Sequence, residues 1–175
     1  MSAFVRIVFA TAFLPLAAMG IVCSADDRPQ DAAAFDPSGT WTLADAYEIH
    51  PDGTRSTNYG PHPHGLLMVD ANGRYSLQIF RPQRPKFAAG DKRRGTPDEY
   101  RAAVLGSSTH TGRVHVDDAA HTLAFAIEDA SYPNWEGQVQ VREFSYADGT
   151  LRYAVPASAS GDGTVAWSVW QRIPR

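Results

Sequence analysis

Gly65–Pro85 constrains the fold of this chain more than any other stretch, because it has the pattern of a β-hairpin. An apolar run, Leu66–Val69, leads into the turn Asp70–Gly73, which ends in Asn-Gly. A clean alternation of residue types then follows over Tyr75–Arg81. Two runs of strand-forming residues around such a turn are typical of antiparallel strands joined by a short loop. The stretch therefore predicts a protein built from β-hairpins.

The second strand of this hairpin carries large apolar side chains on both faces. The alternation places Tyr75, Leu77, Ile79 and Arg81 on one face and Ser76, Gln78 and Phe80 on the other. A wall of this kind suits a barrel, which has a lumen on one side and other structure on the other. The sequence does not decide which face points inward, because a slip of one residue exchanges the two faces.

The N-terminal residues have the layout of a secretory signal peptide. Residues 1–6 carry a positive charge, residues 7–22 are apolar apart from Thr11, and Cys23-Ser24-Ala25 is a small-residue stretch. We expect residues 1–25 to be removed after Ala25, which leaves no membrane span in a periplasmic or secreted protein. Lipidation at Cys23 is the alternative, although Gly20-Ile21-Val22 is a poor match to a lipoprotein signal.

The remaining chain is long enough for one domain and lacks cysteine. We expect a flexible leader over residues 26–37 and a single domain over residues 38–175, held by an ordinary core. A formal net charge of −3 argues against a nucleic-acid partner. Nothing in the sequence requires an oligomer, and we expect a monomer or weak dimer.

One helix is predicted among the strands. Thr96 is a suitable N-cap, Pro97 occupies the first helical position, and Glu99 completes a capping box. The helix should cover Pro97–Leu105 and end at Gly106. Further strand-like runs are Ser38–Leu43, Asp45–Ile49, Thr109–Val116, His121–Ile127, Gln138–Tyr146, Leu151–Val155 and Thr164–Ile173. The pattern predicts an all-β fold, an up-and-down antiparallel barrel of about eight to ten strands with one short inserted helix. A β-sandwich is the alternative.

Several motifs, in a fixed order, resemble the bacterial lipocalin-like domain family. They cover nearly the whole predicted domain: GTW (39–41), PDGTRS (51–56), YGPHPHGLLMVDANGRYSLQIFR (59–81), RPKF (84–87), GTPDEYRAA (95–103), YPNWEG (132–137), QVREF (140–144) and VWQRI (169–173). The resemblance implies a calycin-type barrel whose lumen holds a small, mostly apolar molecule. It also implies that Arg172 stacks over Trp41 to close one end of the barrel, a structural role.

The lumen candidates follow from the strand faces and from one loop. They are Tyr75, Leu77, Ile79 and Arg81 on one face of the hairpin strand, Gln78 on its other face, Arg142, and Trp135. Arg142 lies on the polar face of a strand whose other face carries Val139 and Val141, so this face either lies outside or lines a partly polar cavity. Trp135, in a loop, either covers the cavity or packs over the barrel end.

No motif identifies catalytic residues, a metal site or a cofactor. His62 and His64 point the same way in an extended chain, but zinc needs three or four ligands, and His110 and His115 fall on opposite faces. No nucleophile elbow is present. The leading hypothesis is an exported barrel that binds a small hydrophobic or amphipathic molecule. The alternatives are an isomerase or cyclase that uses the cavity as its active site, and a structural exported domain without a small ligand.

Overall fold

The computed structural model describes residues 34–57, 59–155 and 162–174. The predicted signal peptide (residues 1–25), with Cys23 and the cleavage position after Ala25, lies outside the described residues. Most of the predicted leader (residues 26–33) lies outside them as well. Of the described residues, none belongs to a helix long and apolar enough to span a membrane.

Within the described residues, nine strands and one α-helix follow one another along the chain. The strands are β1 (Gly39–Ile49), β2 (Arg55–Ser56), β3 (His64–Val69), β4 (Arg74–Phe80), β5 (Ser107–Asp117), β6 (Thr122–Ala130), β7 (Val139–Ala147), β8 (Thr150–Val155) and β9 (Val165–Arg172). The helix α1 (Pro97–Leu105) lies between β4 and β5, and a short 3-10 helix (Pro133–Trp135) lies between β6 and β7.

The strands form an antiparallel sheet that closes on itself. From β3 to β9 each strand pairs with the next, and β1 pairs with both β3 and β9. Trp41 lies opposite Leu67 on one side and Arg172 on the other, which completes the circle. The two-residue strand β2 is an extra strand that pairs only with β1. The predicted up-and-down barrel with one inserted helix is confirmed.

The helix is held by its cap and lies outside the barrel wall. The Thr96 side chain accepts a hydrogen bond from the Glu99 backbone N–H, and the Glu99 carboxylate accepts one from the Thr96 backbone. None of the helical residues is buried. Its bounds are those predicted from the capping box, so local sequence rather than core packing sets this element.

One end of the barrel is closed by aromatic side chains. The turns β3–β4, β5–β6 and β7–β8 lie at this end, together with residues 34–38. Phe35 packs against Trp41, Phe144 and Tyr146, with ring centroids 4.8–6.2 Å apart. Its backbone N–H donates to a carboxylate oxygen of Asp118. Residues 34–37, assigned to the leader from sequence, thus pack against this end.

The opposite end of the barrel carries the longer connections. These are residues 50–63, residues 81–106 with the helix, and residues 131–138 with the 3-10 helix. We call this end the mouth. A side chain that reaches the barrel interior from these loops therefore enters through the mouth.

Candidate functional site

Strand β7 has its polar side chains inside the barrel and its apolar side chains outside. Gln140 and Arg142 are 8% and 2% exposed, whereas Val139 and Val141 are 63% and 54% exposed. This is the reverse of the usual arrangement in a half-buried strand. Register explains it, because Gln140 lies opposite Phe125 and Arg142 opposite Leu123, both of which face the core. The polar face of β7 therefore lines the interior.

Arg142 is a cation inside the barrel with no counterion among the described residues. Its guanidinium carbon lies 4.2 Å from the ring centroid of Phe125 and 5.2 Å from that of Tyr153. Within the part of the chain that the structure describes, no carboxylate lies within ion-pair distance of it. Burial lowers the pKa of Arg142, although a guanidinium stays protonated in proteins. The aromatic rings stabilise the charge only in part.

Two hydrogen-bond donors of this strand have no acceptor. Arg142 Nη2 donates to Gln140 Oε1 over 2.7 Å. Because a guanidinium can only donate, this bond places the amide oxygen of Gln140 toward Arg142 and leaves the amide nitrogen free. Gln140 Nε2 and Arg142 Nε are buried without a partner among the described residues. Buried polar groups are normally paired, so these two donors distinguish the site from an ordinary core.

A tyrosine and a histidine form a second buried polar pair in the interior. The Tyr75 hydroxyl lies 2.7 Å from His110 Nδ1, and the two rings meet edge to face. Burial lowers the pKa of His110 to about 3, with a further contribution from the charge of Arg142. Burial raises the pKa of Tyr75 above its usual range. Both groups are therefore neutral at physiological pH. Phe125 packs against both rings, so this pair adjoins the Arg142 cluster.

A third polar pair lies between β8 and β9. Trp170 Nε1 donates to the Tyr153 hydroxyl over 3.0 Å, and both side chains are fully buried. Burial raises the pKa of Tyr153, which stays protonated. Because Tyr153 also faces Arg142 and packs against Phe125, the three pairs form one cluster in the interior.

The hairpin candidates divide between the interior and the outer wall. Tyr75, Leu77 and Ile79 are buried in the core. Arg81 follows the end of β4 and is half-buried, and its backbone N–H donates to the Gly106 carbonyl. Gln78 alternates with the buried residues and lines an open groove of about 410 Å³ on the outer wall between β4, β5 and the end of β6. Gln78 is thus separated from the interior cluster.

Trp135 lies at the mouth of the barrel. It is half-buried in the 3-10 helix, and its ring packs edge to face on His110, with centroids 5.9 Å apart. Tyr132 packs against its other side at 5.6 Å. Trp135 therefore covers the part of the interior that contains the Tyr75–His110 pair.

Trp41 and Arg172 make the contact that the family resemblance implies. The Arg172 guanidinium carbon lies 4.1 Å from the Trp41 ring centroid, and Trp41 is fully buried. Arg172 also donates to the backbone carbonyls of Ser38 and Asp36. Its Nε has no acceptor among the described residues. These contacts tie the last strand to the chain segment before β1 at the closed end.

The four histidines considered as metal ligands, His62, His64, His110 and His115, do not lie around a common point. His62 and His64 are exposed, whereas His110 is buried against Tyr75 and His115 is exposed on the other face of β5. Across residues 34–57, 59–155 and 162–174, no three His, Cys, Asp or Glu side chains are arranged to hold a metal ion.

Sequence reasoning did not select His110 and Gln140 as site residues. The sequence places His110 and His115 on opposite faces of one strand, but the burial of His110 depends on the pairing of β5 with β4 and β6. Gln140 lies on the same face of β7 as Arg142, so both residues become site candidates once this face is known to point inward. That assignment requires the register with β6, which the sequence of β7 alone does not contain.

The model of the lipocalin-like domain family matches residues 38–173. The chain is similar to the 4'-hydroxy-3'-methoxypropiophenone carrier protein of Aspergillus oryzae, with 29% identity over 108 residues that cover 57% of this chain and 97% of that protein. It also matches the crystal structure of a lipocalin-like protein from Bacteroides uniformis, with a TM-score of 0.40, 14% identity, and coverage of 78% of this chain and 97% of that chain.

Proposed function

Because the chain belongs to the lipocalin-like domain family, we propose that it binds a small hydrophobic or amphipathic molecule in the interior of its barrel. The inward-facing polar residues of β7 carry this proposal. A buried cation without a counterion and two buried donors without acceptors lower the stability of a protein unless something else pairs with them. A bound molecule with a polar end supplies that pairing, and its apolar part contacts the surrounding aromatic rings.

The similar carrier protein supports the same class of function. Its name describes a carrier of a small aromatic ketone, which has an apolar ring and polar oxygen atoms. A ring of that kind suits an interior lined by Phe125, Tyr75 and Tyr153.

We also propose that the protein is exported to the periplasm or secreted. The support is the charged, apolar and small-residue pattern of residues 1–25. Cell fractionation of the native host, with N-terminal sequencing of the purified protein, tests this. A mature protein that begins at Asp26 is the expected result, and an intact N-terminus in the cytoplasmic fraction would contradict it.

Native mass spectrometry tests ligand binding directly. The protein is purified from its own host, and its native mass is compared with its denatured mass. A mass excess that disappears on denaturation is the expected result and gives the mass of the ligand. A native mass without any excess, together with failure to take up a fluorescent apolar probe, would refute binding in the interior.

The Tyr75–His110 pair favours a second candidate function, isomerisation or cyclisation of the bound molecule. The Tyr75 hydroxyl and the His110 ring are neutral and in hydrogen-bond contact, so they can orient and polarise an oxygen atom of the bound molecule in a site covered by Trp135. The molecule recovered from the protein is incubated with wild type and with the Tyr75→Phe variant, and its structure is followed over time. Conversion by wild type but not by Tyr75→Phe, with binding retained, supports catalysis. An unchanged molecule in both samples refutes it.

A further inference from the structure

The two unpaired donors on β7 define the chemistry of the ligand's polar end. We propose that the ligand is an aromatic molecule with an anionic oxygen, a carboxylate or phenolate, that accepts hydrogen bonds from Arg142 Nε and Gln140 Nε2. This inference rests on the proposed function, because it assigns the ligand class to the same interior site.

Both unpaired groups are donors, so the missing partner is an acceptor. Arg142 Nε and Gln140 Nε2 belong to side chains two residues apart on one strand, and both point into the interior. The hydrogen bond between Arg142 Nη2 and Gln140 Oε1 fixes the two side chains relative to each other. A ligand oxygen atom with lone pairs fits this arrangement, whereas an ammonium group fits neither donor.

Charge favours an anion over a neutral acceptor. Arg142 is fully buried, and no described carboxylate lies within ion-pair distance of it. The neighbouring groups add no negative charge, because burial keeps the Tyr75 and Tyr153 hydroxyls protonated. His110 adds no positive charge, since its pKa is lowered to about 3. One anionic oxygen group therefore neutralises the interior.

The walls around these donors favour an aromatic ring. Phe125 lies beneath the Arg142 guanidinium and is in contact with the rings of Tyr75, His110 and Tyr153. These rings are arranged edge to face or tilted, which are the geometries in which aromatic rings attract one another, so an aromatic ligand makes favourable contacts of the same kind. Trp135 extends the aromatic surface to the mouth.

Arg172 also has a buried Nε without an acceptor among the described residues, but its surroundings differ from those of Arg142. Its guanidinium already donates to two backbone carbonyls at the closed end, and it is only half-buried. Its charge is therefore shared with carbonyl dipoles and solvent. The anion site is assigned to Arg142 for this reason.

A panel of naphthalene compounds with one ring system and different polar ends tests the assignment. Naphthoate, acetylnaphthalene, ethylnaphthalene and naphthylmethylamine present an anion, a neutral acceptor, no acceptor and a cation. Binding to the unliganded full-length mature protein is measured by fluorescence titration. The variants are Arg142→Met and Gln140→Leu, with Arg113→Met and Gln78→Leu as matched controls on the outer wall. Circular dichroism confirms that each variant is folded.

We expect naphthoate to bind most tightly, acetylnaphthalene more weakly, and naphthylmethylamine most weakly. Arg142→Met should weaken naphthoate binding by roughly tenfold to a hundredfold and leave ethylnaphthalene binding unchanged or tighter. Gln140→Leu should weaken naphthoate binding by a smaller factor, and the outer-wall controls should have no effect. If Arg142→Met does not fold, Arg142→Gln, which removes the charge but keeps a polar side chain, serves in its place with the same expected loss of naphthoate binding.

The outcomes separate this inference from the proposed function. Equal binding of ethylnaphthalene and naphthoate, unaffected by Arg142→Met, overturns the anion site but retains a ligand-binding interior. Tightest binding of acetylnaphthalene overturns the anionic ligand in favour of a neutral carbonyl. A protein that binds no member of the panel, carries no mass excess and takes up no apolar probe refutes the proposed function itself.

Discussion

Replacing Gln140 by leucine and Arg142 by methionine together is expected to stabilise the unliganded barrel. The two side chains form one unit, because the guanidinium donates to the amide oxygen. Changing Arg142 alone would leave that oxygen without a donor, which costs about 1–3 kcal/mol. Changing both removes every polar group of the unit at once. The double variant therefore reports the net contribution of this polar pair to stability.

The magnitude follows from the contacts of the guanidinium. Burial of an ion costs several kcal/mol even after relaxation of the protein. Hydrogen bonds to Gln140 and to Tyr153, together with contact with two aromatic rings, offset part of this cost. Apolar replacements of similar length keep the packing and bury further apolar area. We expect the free energy of unfolding to rise by about 1–4 kcal/mol, as for other buried charges replaced by apolar groups.

Urea unfolding of the unliganded protein, followed by tryptophan fluorescence, measures this difference. The midpoint should rise without a change in slope. Thermal unfolding should show a higher Tm, by about 3–5 °C for each kcal/mol. The outer-wall pair Gln78→Leu with Arg113→Met serves as the control and should change stability by less than about 0.5 kcal/mol. A double variant that is less stable than wild type by 3 kcal/mol or more would show that the polar pair is satisfied in the native fold, and the reasoning on unpaired donors would then be refuted.

Three other changes test separate parts of the structure. Trp135→Ala removes the indole that packs on His110 at the mouth. Stopped-flow fluorescence should then show that naphthoate enters and leaves the barrel about tenfold faster than in wild type. Unchanged rates would contradict a covering role for Trp135. Because the pKa of His110 is lowered from 6.5 to about 3, the unfolded chain gains a proton that the native protein does not, as the pH falls through this range. As the pH is lowered from 6.5 to 4, the free energy of unfolding should therefore fall more steeply in wild type than in His110→Gln, by up to about 1.4 kcal/mol per pH unit. Parallel curves of unfolding free energy against pH would contradict this. Gly112→Ala should lower the free energy of unfolding, measured by urea titration, by about 2–4 kcal/mol. The reason is that φ of Gly112 is +154° and an added Cβ would lie 2.0 Å from the Ala126 carbonyl oxygen. A decrease of less than about 1 kcal/mol would show that the bulge in β5 relaxes to accept the side chain.

The fold could be predicted from local sequence because each of its units has a local signal. The turn Asp70–Gly73 predicts a hairpin, and strands β3 and β4 form it. The capping box of Thr96 and Glu99 predicts the helix with the bounds that it has. Hairpins joined in series leave little choice of pairing, so closure of the barrel needs only one further contact, between β1 and β9. Strand ends differ from the predicted ones by one to three residues, since long-range pairing determines where a ladder stops.

The interior site could be predicted only in part, because it depends on the facing of β7. Tyr75, Leu77 and Ile79 follow from the alternation of β4, where burial and apolar character agree. In β7 burial and apolar character disagree, because hydrophobicity alone would place Val139 and Val141 inside the barrel, whereas both are exposed. The neighbouring strand decides, because Leu123 and Phe125 of β6 face the core and impose their register on Arg142 and Gln140. A strand that departs from its own pattern in this way is expected at a functional site rather than in a core optimised for stability.

Arg142 and Arg172, two of the arginines that stack on aromatic rings, show how one type of contact can take two roles. Arg172 lies over Trp41 at 4.1 Å, and Arg142 lies over Phe125 at 4.2 Å, so the ring contact does not distinguish them. The difference lies in what else each guanidinium meets. Arg172 donates to backbone carbonyls of the segment before β1 and remains half-exposed, so its removal should loosen the closed end and lower stability. Arg142 is fully buried, donates to the Gln140 amide and the Tyr153 hydroxyl, and keeps a buried Nε without an acceptor among the described residues, so its removal together with that amide should raise stability and remove affinity for an anion. Opposite signs of the stability change at two arginines with the same stacking geometry would separate a structural contact from a binding one.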